Sequence, residues 1–592
     1  MSTSYDNKTK PNRLKQLFIL ILLLTIISSV ITQYIAYKFE YHTSLTGEIY
    51  PHIYQPFEWI RWHINYYQEF EPILLDAYSQ TLFGFSIIAV IYITIFLLFN
   101  RKAQKHLNVH GTAHWATQKE IEETHTLNRK DGLYIGGYRD KKGKLHYLRH
   151  NGDEHIIGFA PTRSGKGVGL VIPTLLSWDG SAIVLDIKGE NYAITAGWRE
   201  KYANNRIYKF NPNDPTGESA KFNPLQEIRL QTTYEIADTE NIVIMLLDEK
   251  GEGLKDFWEK GGKTFLSSFI LHTLYIAKNE YAPTPSLSEI YKALNNRDID
   301  EILADMLSYY HDQDNQIIHP AISTGAMGLT NLAERTRGDI IATINNALSL
   351  YIDPVIELNT KTSDFKLEEL MNDTQPITLY IVIDPENIDR MQPLFRVIML
   401  QILKRLIKKL EFQNGKQIKS YQHRMLLMLD EFTAVGKIEY FEKSLAYMAG
   451  YGIVAYIIIQ DTEQLYRLYS KEETIISNCH IKIAFTPNKE DTANLLSKMT
   501  GTTTVVKSNI TTSGKRLSPI LGSVSQSYQE VSRPLMTTDE ILRLPKAKTT
   551  PQGEIIQGGE MLIFISGHAP IKGEQILFFK EQIFLDRSQV TL

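Results

Sequence analysis

The stretch "EHIIGFAPTRSGKG", residues 154–167, decides the fold. An apolar strand candidate, "HIIGF", stops at small and turn-forming residues. It gives way to "VGLVIPTLLSW" (168–178), which has the character of a helix. A strand, a glycine-rich turn and a helix start form a phosphate cradle. Successive backbone N–H groups curl around the anion, and the helix dipole faces it. The cradle runs through Ala160, Pro161, Thr162, Arg163, Ser164, Gly165, Lys166, Gly167 and Val168, with Lys166 placed to reach the outer phosphates of a nucleotide. The usual pattern is G-x-x-x-x-G-K-[ST]. Ala160 replaces its first glycine, which is tolerable unless a positive φ is needed there. Gly167 replaces the hydroxyl that would touch Mg²⁺. Water, the nucleotide's own oxygens or an acid from elsewhere must then hold the metal, and Mg²⁺ normally keeps several waters. Pro173, which has no N–H, predicts a kink in the helix.

Working outward, the acid is found in "MLLMLDEF" (425–432), an apolar strand ending in Asp430 and Glu431. Open α/β sheets place their chemistry at such strand ends. Asp430 suits the Mg²⁺ shell, acting through water, and Glu431 suits orienting the attacking water. A neighbouring run, "IVAYIIIQ" (453–460), delivers Gln460, a candidate to sense the γ-phosphate. Lys166, Glu431 and Gln460 form the candidate catalytic set, with ATP and Mg²⁺ as the implied ligands.

Further apolar runs are "GSAIVLDIKGE" (180–190), "RIYKFNPND" (206–214), "PITLYIVID" (376–384), "NCHIKIAFT" (478–486), "EMLIFISG" (560–567) and "QILFF" (575–579). With helical stretches between them, they predict an α/β fold with a mostly parallel sheet covered on both faces. "GLYIGGYR" and "KLHYLRH" predict a hairpin beside it. Residues 226–375 differ: "DFWEKGGKTFLSSFILHTLYIA" (256–277) carries apolar residues at helical spacing, as do later segments. An all-helical insertion is expected there. The Ser/Thr/Gly-rich stretch 505–530 reads as a mobile loop.

The N-terminus has a different character. Residues 17–37 and 81–99 are apolar and uncharged, long enough to span a bilayer. Lys8, Lys10, Arg13 and Lys15 precede the first, and Arg101, Lys102 and Lys105 follow the second. The positive-inside rule puts both termini and the main body in the cytoplasm, with 38–80 outside. The expected division is an anchor at 1–104 (spans about 15–37 and 81–99), a nucleotide-binding domain in two parts, 105–225 and 376–592, and the helical insert at 226–375. A net charge of −4 over 592 residues gives no global basic signature for nucleic acid. The single cysteine, Cys479, excludes intramolecular disulfides and reads as a buried hydrophobe.

With these pieces placed, the chain resembles the type IV secretion coupling proteins, membrane-anchored ATPases of conjugative DNA transfer. The resemblance rests on "HGTAHWA" (110–116), "APTRSGKGVGLVIPTLL" (160–176), "LDIKGE" (185–190), "FNPL" (222–225), "DFW" (256–258), "DPENIDRMQPLFR" (384–396), "LDEF" (429–432) and "SRPLMTTDEILRLP" (532–545), in that order. Phosphate loops of this family often read S-G-K-G, which makes Gly167 a family trait. The resemblance implies a RecA-like P-loop NTPase with an inserted all-helical domain and a two-helix transmembrane hairpin. It further implies a hexameric ring at the bacterial inner membrane. Such a ring works with type IV secretion channel components and takes relaxase-bound single-stranded DNA or effector proteins as cargo. A ring ATPase completes each site with an arginine from the next subunit. Arg335, Arg337, Arg390 and Arg396 are the candidates. The basic run 403–411 reads as a solvated helix face more readily than as a DNA contact. Two other readings compete: a membrane-bound nucleotide-binding receptor or scaffold with weak hydrolysis, motivated by Gly167, and a chromosome-segregation-type DNA translocase.

Overall fold

Runs of Ile, Val and Leu buried on both sides build one large sheet, because such residues fit a pleated surface covered by helices. A computed structural model describes residues 13–102, 110–248, 250–407, 411–513 and 523–592. The chain divides into two compact units, Met1–Val109 and His110–Leu592.

The sheet of the larger unit has 11 strands. In chain order they are β1 (Leu133–Arg139), β2 (Leu145–His150), β3 (Ile156–Phe159), β4 (Ser181–Asp186), β5 (Arg206–Phe210), β6 (Ile377–Val382), β7 (Met425–Leu429), β8 (Ile453–Ile459), β9 (Ile481–Ala484), β10 (Glu560–Ile565) and β11 (Ile571–Glu574). Their order across the sheet is β2-β1-β11-β10-β9-β3-β8-β7-β4-β6-β5. The run from β9 to β5 is parallel throughout, and the β2-to-β10 edge is antiparallel. The period-2 alternation sorts side chains to two cores. Ile183, Leu185, Leu427 and Ile457 face one, and Ala182, Val184, Leu426 and Tyr456 face the other.

Between Glu235 and Asn372 the described residues form helices and no strand. Their apolar faces do not close a core of their own. Phe265, Phe269, Ile340 and Ile344 belong to the same cluster as Ile183 and Leu427 of the sheet.

Three expectations are corrected. Residues 505–530 are not a loop: Thr502–Ser513 and Ser523–Pro534 are paired antiparallel strands in continuous register from Thr502↔Pro534 to Ser513↔Ser523. Alternating Thr, Val and Ile outweigh the Ser and Gly content there; residues 514–522 lie outside the described residues. "QILFF" is no strand, since pairing ends at Glu574 and a 3₁₀ turn follows at Phe578–Lys580. The helix after the phosphate loop opens with a π turn, Gly167–Val171, closed by Ile172 N–H to Gly167 O, before the α-helical turn Ile172–Leu175. The wide turn comes just before Pro173, so the missing N–H falls at the start of the α-helical turn.

In the smaller unit, helices Arg13–Lys38 and Glu58–Lys102 flank a short hairpin, Glu48–Tyr50 with Ile53–Tyr54. Trp62, Ile35 and Leu74 are fully buried between them. The second helix begins inside the segment expected to be an outer loop, and it breaks at Phe70, two residues before Pro72. The side chains at 13–20 and 91–102, which carry much of both expected spans, lie outside the described residues. Among the described residues no helix is long and apolar enough to cross a membrane.

Candidate active site

The ends of β3, β8, β7 and β4, four neighbours in the sheet, converge on one corner. Phe159 ends β3, and Ala160 N–H continues the pairing by donating to Ile459 O of β8 at 2.8 Å. Ala160 has no positive φ, so the glycine usual at the first loop position is not required. The strain is carried further on, at Arg163 (φ 61°) and Gly165 (φ 87°). A Cβ at Gly165 would also come to 3.0 Å from Ile555 Cδ1, so this glycine is needed for conformation and for room. Gln575 closes the loop from outside by donating Nε2 to Ser164 O at 2.7 Å. Below it, Gly169 lies so close to Ile576 O that a Cβ would stand 2.8 Å away. Phe584 packs with Ile172 and Leu176, and Arg587 donates to Leu176 O at 2.6 Å.

Lys166 reaches across to β7. Its Nζ lies 2.9 Å from Asp430 O, 2.5 Å from Glu431 Oε2 and 3.4 Å from Asp430 Oδ1. The other Glu431 oxygen accepts from Gln460 Nε2 at 2.6 Å, and Gln460 Oε1 accepts from Thr162 Oγ1 at 3.2 Å. The loop, the two carboxylates and the amide thus form one hydrogen-bonded chain. Burial pulls the Lys166 ammonium down, but Asp430 and Glu431 more than offset it, so its pKa stands above that of a free lysine. Burial raises the Asp430 carboxyl; Lys166 pulls against this and the Glu431 charge adds to it. Asp186 at the end of β4 is also buried, which raises its pKa to about 6 although the Tyr192 and Asn191 N–H groups favour its charged form.

A cavity of about 410 Å³ opens in front of these groups, lined by Lys166, Gly167, Asp430, Glu431 and Gln460 together with the β4 corner, Asp186 to Asn191. A second, of about 320 Å³, lies on the other side of the loop, between Thr162–Ser164 and residues such as Phe485, Asn488, Lys546 and Thr549. Among the described residues no His/Cys/Asp/Glu cluster forms a ready-made metal cage. Two observations nonetheless fit a hydrated cation beside a phosphate. Asp430 Oδ1 is buried and makes no hydrogen bond, with only the longer 3.4 Å ion-pair approach of Lys166 Nζ beside it. A Cβ at Gly167 would meet nothing within 4 Å, leaving space where a hydroxyl-bearing side chain usually stands.

The cradle residues, Lys166, Asp430, Glu431 and Gln460 are therefore brought together at one corner. The arginine candidates have other attachments. Arg396 is buried, bonded to Lys437 O and Asp248 O. Arg390 pairs with Asp353 and Arg337 with Asp300, while Arg335 is exposed. In the basic run, Lys404 donates to Asn241 and Arg405 to Glu227 O; residues 408–410 lie outside the described residues. The β4 corner was not foreseen as part of the site. "LDIKGE" carried the only signal, an apolar strand ending in charged turn residues as β7 does.

The fold and the strand-end cluster define a P-loop NTPase. The chain belongs to the type IV secretory system conjugative DNA transfer family, whose sequence model matches residues 103–591. It is 42% identical over 582 residues to the conjugal transfer protein TraG of Escherichia coli, covering 94% of this chain and 90% of that one. It is 25% identical over 481 residues to the protein VirD4 of Agrobacterium fabrum, covering 80% of this chain and 66% of that one. The conjugative coupling protein TrwB shares the fold. The form solved with sulphate superposes with a TM-score of 0.56 at 13% identity, over 80% of this chain and 95% of that one. The complex with ADP and Mg²⁺ superposes with a TM-score of 0.54 at 13% identity, over 78% and 94%.

Proposed function

We propose that this protein is an ATP-hydrolysing coupling protein that delivers a relaxase–DNA complex to a type IV secretion channel, working as a homo-oligomeric, hexameric ring. The observation that carries the reading is the contact of Lys166 with Asp430 and Glu431, with Gln460 bonded to Glu431. The loop amides and Lys166 bind the phosphates, and the nucleoside lies in the cavity beside Arg163 and Lys546. Asp430 would hold Mg²⁺ through water, and the ion would screen the phosphate charge. Glu431 accepts hydrogen bonds from the attacking water and takes its proton, and Gln460 fixes the carboxylate in that orientation. With no hydroxyl at Gly167, water would have to serve in its place, which Mg²⁺ tolerates. Family membership supports DNA as cargo over effector proteins.

The apolar stretches 17–37 and 81–99, with basic flanks, support anchoring in the bacterial inner membrane by two spans, both termini in the cytoplasm. Arg335 is exposed and, among the described residues, has no ion pair of the kind that holds the other three candidates, which supports it as the arginine that completes a neighbour's site in the ring.

The test is ATP hydrolysis by the full chain in detergent, with and without single-stranded DNA, beside Lys166→Ala. Activity that rises with DNA and disappears in the variant is expected. Nucleotide binding without turnover under any of these conditions would leave the receptor reading in its place.

A further inference from the structure

The β4 corner has a chemistry that the reading above does not use. β4 ends at Asp186, and the chain turns through Ile187, Lys188 and Gly189 into the helix Glu190–Lys201. Lys188 sits at φ 142° and Gly189 at φ 74°. Glycine adopts such angles freely; a lysine at φ 142° is strained. The neighbours impose this conformation. Asp186 is buried and accepts Tyr192 N–H at 2.8 Å, while its backbone carbonyl accepts Lys188 N–H at 3.1 Å. The turn is thereby pinned at both ends, and the helix start is fixed beside Asp430.

The strained residue carries an ammonium group. Lys188 is exposed and lines the same 410 Å³ cavity as Lys166, Asp430, Glu431 and Gln460. No hydrogen bond or ion pair holds its Nζ among the described residues, whereas Lys166 is held by two carboxylates. The cavity wall counts four acids, Asp186, Glu190, Asp430 and Glu431, against these two lysines. A triphosphate bound at the loop brings several more negative charges, most densely at its terminal phosphate. A cation at the β4 corner of the cavity, carried on a strained turn and unpaired among the described residues, is placed to meet that charge.

We propose that Lys188 is the residue through which the site distinguishes a terminal phosphate, contacting the γ-phosphoryl group from the β4 corner of the cavity. This rests on the nucleotide-hydrolysing reading above and adds a named role to it. Lys166 reaches the β- and γ-phosphates from the loop, while Lys188 adds a second cation that only a γ-phosphate would meet. The backbone strain is consistent with selection for side-chain position, because glycine would fit the turn better.

The test uses the full chain in detergent and compares affinities for ADP and for a non-hydrolysable ATP analogue, with hydrolysis measured separately. In Lys188→Ala, ADP affinity is expected to be unchanged, the preference for the ATP analogue to fall by about tenfold, and kcat to fall by at least about tenfold. Lys188→Arg restores most of the preference. Lys188→Gly relieves the turn, so its unfolding midpoint is expected to rise while the same preference is lost; that combination separates function from folding. A wild-type preference retained in both Lys188→Ala and Lys188→Gly overturns the proposal while leaving the hydrolysis reading intact. If the wild-type chain binds neither nucleotide, or if Lys166→Ala binds both as well as wild type does, the hydrolysis reading fails first and this inference falls with it.

Discussion

Two polar clusters in this molecule handle charge in opposite ways. At the strand ends, Lys166, Glu431, Gln460 and Thr162 bond to one another but face a cavity. In the helical segment, His272, His311, His319, Glu235 and Tyr275 also bond to one another, and all but the half-buried His319 are buried. The second network fixes its own protons. His311 Nδ1 accepts from His319 N–H at 3.1 Å, so its proton sits on Nε2 and is donated to His272 Nδ1 at 3.0 Å. His319 Nδ1 accepts from Ala321 N–H, so its Nε2–H points to Glu235 at 3.1 Å. His272 Nε2 keeps the remaining proton, makes no hydrogen bond among the described residues, and has Asp305 Oδ2 3.6 Å away. A bonded polar cluster thus becomes a site only where it fronts a cavity, as the strand-end cluster does.

The largest effect that could break this contrast is in the open cluster. Lys166→Ala or Glu431→Gln is expected to lower kcat by about 10²–10³, and Glu431→Gln to retain nucleotide binding, read by steady-state turnover beside equilibrium binding. The histidine cluster should answer in stability instead. Burial and its two neighbouring imidazoles lower the His311 pKa to about 4, so the folded chain resists a proton that the unfolded chain accepts near pH 6.5. The stability gained from keeping this ring neutral is complete above pH 6.5 and is lost as the pH falls toward 4, amounting to about 3 kcal/mol. Urea unfolding from pH 7 to pH 4.5 reads this slope, and His311→Gln flattens it without changing kcat per folded molecule.

Gln460 lies between the two cases, since it touches Glu431 but carries no charge. Gln460→Ala should lower kcat by roughly tenfold with KM little changed. The smallest effect belongs to Gly167→Ser. Open space at that Cβ predicts a stability change within about 0.5 kcal/mol, read by thermal unfolding, and tighter Mg²⁺ binding, read by metal titration with a non-hydrolysable ATP analogue.

The contrast also shows what could be seen before any coordinates. The open cluster was legible because its residues stand at the ends of unbroken apolar runs, where strand polarity forces them to one edge: Lys166 after "HIIGF", Asp430 after "MLLML", Gln460 after "IVAYIII". The parallel strands were legible for the same reason. The histidine cluster was not, because His272, His311 and His319 are scattered through helices and loops and meet only by tertiary packing. Composition misled at 505–530, where Ser and Gly hid a long ribbon whose Thr and Val alternate. Lys188 was in view as part of "LDIKGE", but a backbone angle cannot be read from residue types.

The clasp beneath the phosphate loop has a consequence in time. Gln575 and Arg587, which hold Ser164 and Leu176, each lie 411 positions downstream of their partners. At roughly 5–20 residues per second, a ribosome needs about 20–80 s to go from one to the other. Throughout that interval the loop helix has been made but its floor has not. The nascent chain passes through most of its synthesis without a finished cradle, and nucleotide capture becomes one of the last abilities it acquires. Order of translation alone would then keep ATP away from half-built chains, with no dedicated inhibitor.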